Sequence, residues 1–247
     1  MIVIVGSPWA RLERDGVVAA GLAVSVGRAA AASGATVQLV GRIGEGPLGD
    51  GVIVDLGRAG IGHVASLRAP VDATALVVAS SIDADRAADS LDPSDLVTET
   101  EDDLAGDGGG AGDTDAAIMP SAGSEANPTA GPPALDAADL DLALRYLGDI
   151  RVVVVTEVLD DAAAQTIADA AAYVGAAVVA LVTEQAGRGT RPAALGDAIV
   201  IERPAADPDD AFARLVGGLA SALDRGDAPE NAFRSAVTAA GWERSEA

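Results

Sequence analysis

Apolar positions along this chain follow two rhythms. Residues 2–5 read Ile-Val-Ile-Val and are cut off by Gly6-Ser7-Pro8, and residues 152–156 repeat the theme as four valines and a threonine. Short β-branched runs without polar alternation suit strands covered on both faces. Residues 36–40, 177–182 and 198–201 read as further strands. Between them the apolar residues recur every three or four positions. Residues 17–33 read as a helix with Gly34 at its C-cap, and residues 48–59 as a second, with Pro47 at the first helical position and Gly60 after the end. Asp136 opens a helix to about residue 147, another covers 160–174, and residues 212–224 and 232–240 close the chain as two more. Residues 41–46 read as a turn, and residues 63–68 and 74–79 as two short strands pairing antiparallel in an edge or flap. Strand alternating with helix predicts an α/β fold with a mainly parallel sheet. Its expected core is Ile2 to Val5, Val37, Leu39, Val152 to Val155, Val178, Val179 and Leu181.

Composition narrows this picture. A length of 247 residues suits one α/β domain. Residues 83–115 break the pattern, with 12 acidic residues against the single Arg86, and read as a disordered acidic insertion. The formal net charge is -22, and all 16 basic residues are arginine. Such a field repels nucleic acid and anionic membranes alike. Acidity without lysine fits either a salt-rich cytoplasm or an arginine-biased genome, and both imply a soluble, cytoplasmic prokaryotic protein. The absence of cysteine excludes disulfides and thiolate chemistry, and His63, the one histidine, reads as a surface or turn residue because no multi-histidine metal site can form. The N-terminal stretch has neither a basic start nor a long apolar segment, so no signal peptide and no membrane span are expected.

Residues 20–50, AGLAVSVGRAAAASGATVQLVGRIGEGPLGD, resemble the ribokinase or PfkB family of carbohydrate and nucleoside kinases. That family places a diglycine and an asparagine before a helix, then a strand leading into a Gly-Arg-x-Gly-x-Asp-x-x-Gly signature. Here the diglycine position is Ala20-Gly21, the asparagine position is Ser25, and the signature runs from Gly41 to Gly49 with Gly46 at its acidic position. Residues 139–182 resemble the family's later helix, strand and helix, with Glu157 where a glutamate ends the strand, and residues 209–241 resemble its final helix pair. The resemblance implies a ribokinase-like three-layer α/β/α fold with a small β flap, shortened in its C-terminal half. By motif position it implies Arg11, Gly21, Ser25 and Glu157 as substrate-binding residues and Asp210 as the catalytic base.

The family's GAGD phosphate loop is the decisive departure. The string occurs at residues 110–113, but Pro120 follows before a helix can form, so nothing there aims amides at a phosphate. By position the motif falls on residues 207–210, Asp-Pro-Asp-Asp, directly before Ala211-Phe212. There Pro208 removes an N–H donor, and Asp207 reads as the helix N-cap with Pro208 at the first helical position. The Asn-Glu and Thr-x-Gly motifs of the nucleotide pocket are missing between Val182 and Ala198. Three readings follow: a ribokinase-like binding or regulatory protein with a degenerate phosphotransfer site; an active sugar or nucleoside kinase using ATP, Mg²⁺ and Asp210; or an adaptor acting through the acidic insertion. The fitting partners are a small sugar or nucleoside and a second copy of the chain. No metal site of the protein's own is expected.

Overall fold

The two valine-rich runs lie side by side at the centre of a sheet. In a computed structural model, described for residues 1–14, 16–69, 76–78, 134–183, 193–204, 207 and 209–241, β1 (Ile2–Val5) pairs in parallel with β9 (Val152–Val155), Ile2 against Val152 and Ile4 against Val154. β4 (Val37–Val40) and β6 (Ile61–Gly62) extend the sheet on one side, and β10 (Ala177–Thr183) and β11 (Ile199–Arg203) on the other, giving the order β11-β10-β9-β1-β4-β6. Every pairing in it is parallel.

The period-2 geometry of a strand sorts the unbroken apolar runs into two cores. Ile2, Ile4, Val152 and Val154 face one layer of helices: α1 (Leu22–Ala32), α2 (Pro47–Arg58), α5 (Ala211–Asp224) and α6 (Pro229–Ala240). Val3, Val5, Val153 and Val155 face the other layer, α3 (Ala137–Arg145) and α4 (Asp161–Val174). The strands of the expected core are buried, apart from Val178, which is only partly so. It packs at the edge of the second core, beside a cavity of about 360 Å³ that is also lined by Ala171, Ala172 and Ala194.

Local chemistry sets the helix ends. Asp136 accepts from the Asp139 amide at 2.9 Å while the Asp139 carboxylate accepts from the Asp136 amide, closing a capping box at α3. Asp160 caps α4 through the Ala163 amide at 2.7 Å, and Gly175 ends that helix in the left-handed conformation.

Three expectations need correction. Residues 17–20 are not helical: β2 (Trp9–Glu13) and β3 (Gly16–Ala20) form an antiparallel hairpin, and α1 begins only at Leu22. Asp15-Gly16 is a hairpin dipeptide, and β-branched Val17 and Val18 fit a half-covered strand better than a first helical turn. Residues 41–46 are not all turn, because β5 (Arg42–Gly44) lies among them. Residues 63–68 and 74–79 do not form one antiparallel flap. β7 (Leu67–Ala69) pairs in parallel with β5, and β8 (Leu76–Val78) in parallel with β2, so each finds its partner in the preceding βα segment. His63 lies just before a turn, partly buried. The described residues belong to one unit, 1–78 with 128–247. The predicted insertion at 83–115 and the string at 110–113 lie outside the described residues.

Candidate functional site

From β1 the chain builds outward to β4 and β6, then returns to β9 and builds the other way. Between β1 and β9 the order therefore reverses, and loops leaving the carboxyl ends of the two strands part to open a crevice. Its floor is backbone. The Gly6 amide donates to Val40 O and the Thr156 amide to Val5 O, each at 2.9 Å. Gly41 comes so close that a Cβ there would stand 2.5 Å from the Gly6 carbonyl oxygen and 3.0 Å from the Ser7 Cα.

Over this floor lies a cavity of about 330 Å³ lined by Ser7, Trp9, Gly21, Thr156, Glu157 and Arg203, with Leu22, Ala23, Val158 and Leu181 as its apolar part. Gly21 joins the flap to α1 at φ 101, a left-handed conformation that glycine adopts without strain. Trp9 lies beside it and remains 44% exposed at the rim.

Glu157 is the most constrained polar group here. Its Oε2 accepts from the Ser7 amide at 3.0 Å. Its Oε1 is shielded from solvent and has no hydrogen-bond partner of good geometry among the described residues. Burial pushes the carboxyl above its ordinary value of 4.5; the amides of Ser7 and Leu135 and the charge of Arg42 pull the other way without offsetting it. Beside this carboxyl the cavity wall also carries the hydroxyl side chains of Ser7 and Thr156. Arg42, in the family-like signature, donates its backbone N–H to Ser7 Oγ at 3.1 Å and pairs its guanidinium with Asp139 at the start of α3. It ties the crevice to that helix.

Of the residues singled out by sequence, Gly21 and Glu157 meet at this cavity. Arg11 lies on β2, paired with Glu13 at 2.7 Å, and Ser25 lies in the first turn of α1; neither lines the cavity. Asp210 is the N-cap residue of α5, exposed, at φ 52, with no capping bond from its side chain. The cap comes from further back: Asp207 accepts from the Phe212 amide at 3.0 Å and the Ala213 amide at 3.1 Å. The expectation of Asp207 as the N-cap residue itself is thus corrected, since the helix starts three residues later and the carboxylate reaches over it. Ser7, Trp9 and Arg203 were missed, although Ser7 and Trp9 directly follow the first strand, where an α/β fold places its ligand loops. Among the described residues no group of three or more metal-type side chains comes together, and no helix is long and apolar enough to cross a membrane.

No sequence-family model and no curated protein sequence matches the chain. Solved structures do match in fold. The Arabidopsis thaliana ribokinase complexed with ribose and ATP aligns at 15% identity and a TM-score of 0.51, over 97% of this chain and 90% of that one. The aminoimidazole riboside kinase of Salmonella enterica, complexed with aminoimidazole riboside and an ATP analog, aligns at 13% identity and 0.51, over 97% and 91%. The PfkB protein of Polaromonas sp. JS666 aligns at 14% identity and 0.53, over 95% and 92%. With its parallel six-stranded sheet between two helix layers, the chain has the ribokinase-like three-layer α/β/α fold.

Proposed function

We propose that the protein is a PfkB-like sugar- or nucleoside-binding protein in which the crevice between β1 and β9 holds the ligand and phosphoryl transfer is lost. The observation that carries this is the Asp207 carboxylate on the Phe212 and Ala213 amides. Free N–H groups at a helix N-terminus attract an anion through their partial positive charge. At α5 two of these donors already hold an anion that belongs to the chain, so the place where a nucleotide phosphate would dock is self-satisfied. A phosphate beside Asp207 would also meet its charge, at a cost of roughly 4 kcal/mol for a pair ~4 Å apart at an effective dielectric near 20. The α5 terminus therefore does not fit a nucleotide phosphate. The β1–β9 crevice has the opposite character: its cavity of about 330 Å³ is lined by Ser7, Thr156, Glu157 and Arg203, polar groups that suit a ligand rich in hydroxyls.

The test is a melting experiment with a panel of sugars and nucleosides, alongside ATP turnover with Mg²⁺ and each of them. A ligand present at 100 times its Kd adds about 2.7 kcal/mol of stability. The expected result is stabilisation by at least one sugar or nucleoside with no ADP formed; ADP formation with any of them overturns the loss of transfer. One observation favours the second reading, an active kinase: the Asp210 carboxylate is exposed and makes no capping bond, and so is available as a general base. Under that reading Asp210→Asn lowers kcat by ~10²- to 10⁴-fold.

A further inference from the structure

Beyond the bonds from Gly6 N–H to Val40 O and from Thr156 N–H to Val5 O, the parallel ladder no longer holds the segments around the crevice together. Side chains take over. The Ser7 amide donates to Glu157 Oε2 at 3.0 Å, and the Arg42 amide donates to Ser7 Oγ at 3.1 Å. The Leu135 amide, on a buried residue just before α3, faces the same Glu157 carboxyl. What holds that segment is the Arg42 guanidinium. Its Nε donates to Asp139 Oδ2 at 3.0 Å, and its Nη2 donates both to that oxygen and to Asp136 Oδ2, the latter at 3.4 Å. Asp136 and Asp139 are the two halves of the α3 capping box. One planar fork therefore grips the first turn of the helix that directly follows Leu135. The Arg42 and Asp139 side chains are both largely covered, so water and salt screen their attraction less than that of a surface pair.

Resting on the reading of this crevice as a ligand site, we infer that Arg42 is its positioning residue: the guanidinium fixes the start of α3 and so sets the Leu135 amide against Glu157, while the Arg42 backbone N–H fixes Ser7. Arg42 does not itself line the cavity. It acts on the two amides that face the carboxyl. A side chain carried on a loop is only as well placed as the segments that hold it, and Glu157 sits just beyond the end of β9. The tie from Arg42 to Asp139 spans 97 residues of sequence, so the tertiary fold and not local chain geometry sets it. The two arms can also be separated by substitution, because the backbone N–H of residue 42 remains whatever its side chain.

The test uses the full chain with Arg42→Met and Arg42→Lys, read first without ligand. Both variants keep the residue 42 N–H on Ser7 and the capping box of α3, and both are expected to fold. In Arg42→Met the Leu135 amide should exchange with solvent roughly 10-fold faster or more, while the Ser7 amide keeps its wild-type rate. Carbon-13 NMR of the Glu157 carboxyl should show its titration moved to higher pH, since the pull of the Arg42 charge is gone while Arg203, the guanidinium that lines the cavity, is unchanged. Arg42→Lys keeps the charge without the fork. Its Glu157 titration should stay near that of the wild type, and its Leu135 exchange should fall between the other two. An arginine that only stabilises the fold would speed exchange at Ser7 and Leu135 alike. With ribose, fructose and adenosine as titrants, any that binds the wild type should bind Arg42→Met roughly 10-fold more weakly, the effect of one displaced charge-assisted hydrogen bond, and Arg42→Lys should recover part of that. Unchanged Leu135 exchange in Arg42→Met, equal acceleration at both amides, or undiminished affinity overturns the inference. If Arg42→Met does not fold, Arg42→Lys decides, and wild-type exchange at Leu135 in it overturns the inference. If no sugar or nucleoside binds the wild type, the proposed function falls, and the ligand-free exchange and titration still decide the role of Arg42.

Discussion

The crevice between β1 and β9 and the N-terminus of α5 treat their polar groups in opposite ways. At α5 the amides of Phe212 and Ala213 have a full internal partner in Asp207. In the crevice one oxygen of Glu157 has no hydrogen-bond partner of good geometry, and Arg203 at the cavity wall has no ion-pair partner among the described residues. A fold gains by satisfying its own donors and acceptors, by about 1 kcal/mol for a helix cap, so groups left unsatisfied around a cavity carry a cost that a ligand can offset. Under the proposed function, the contrast separates a helix start satisfied by the chain itself from a crevice arranged for a ligand.

The sharpest way to break the crevice side of this contrast is at its floor. Gly41→Ala sets a methyl group against the backbone of Gly6 and Ser7, which cannot swing aside as a side chain would. Overpacking of this kind costs about 2–3 kcal/mol. Urea unfolding should show that loss, and ligand binding should fall with it because Ser7 carries the amide that holds Glu157; an unchanged midpoint would mean that the floor is looser than the distances imply. On the other side, Asp207→Ala removes the cap from α5 and should cost about 1–2 kcal/mol, with sugar binding unaltered. A weak gain in phosphate affinity is expected as two amides come free. A loss of sugar binding would join the two regions into one site.

A smaller effect, opposite in sign, is expected at Glu157. Burial raises its pKa in the folded state above the ordinary 4.5, so the native protein holds that proton more tightly than the unfolded chain does. The stability this contributes is complete below the ordinary value and is lost as pH rises through the folded pKa. Above the ordinary value the buried carboxyl is a burden compared with a neutral amide, and Glu157→Gln should raise the urea midpoint at pH 7 while weakening ligand binding. The stability gap should close below pH about 4, where both side chains are neutral. A variant less stable than wild type at pH 7 would mean that the Ser7 and Arg42 interactions outweigh burial. Smallest of all is Asp210→Asn. An exposed side chain without a capping bond should shift stability by only about 0.5 kcal/mol or less, and the left-handed backbone at φ 52 suits asparagine at least as well as aspartate. Chemical denaturation measures the shift, and a change above 1 kcal/mol would reveal a role in holding α5 that the hydrogen bonds do not show.

How far each region was legible in the sequence follows from the range of the interactions that build it. Unbroken β-branched runs announced β1 and β9, because only a strand covered on both faces buries four such residues in a row. Asp136 and Asp160 marked helix starts, since a cap acts within one turn of its own position. Glu157 and Gly21 were visible only by their motif positions in the family resemblance. Pairing partners were not. Whether residues 67–69 and 76–78 pair with each other or with β5 and β2 depends on where distant backbone presents free N–H and C=O groups, and short apolar segments carry no such address. The same holds for the site. The sequence by itself determined the α/β class, the two central strands and the acidic chain at residues 207–210. The tertiary structure alone decided that Asp207 reaches past Asp210 to the α5 amides, that Glu157 is buried against the Ser7 amide, and that Arg203 comes to the same cavity as Trp9. Satisfaction or vacancy of a polar group depends on every neighbour that folding brings within hydrogen-bond reach, and most of those neighbours are far away along the chain.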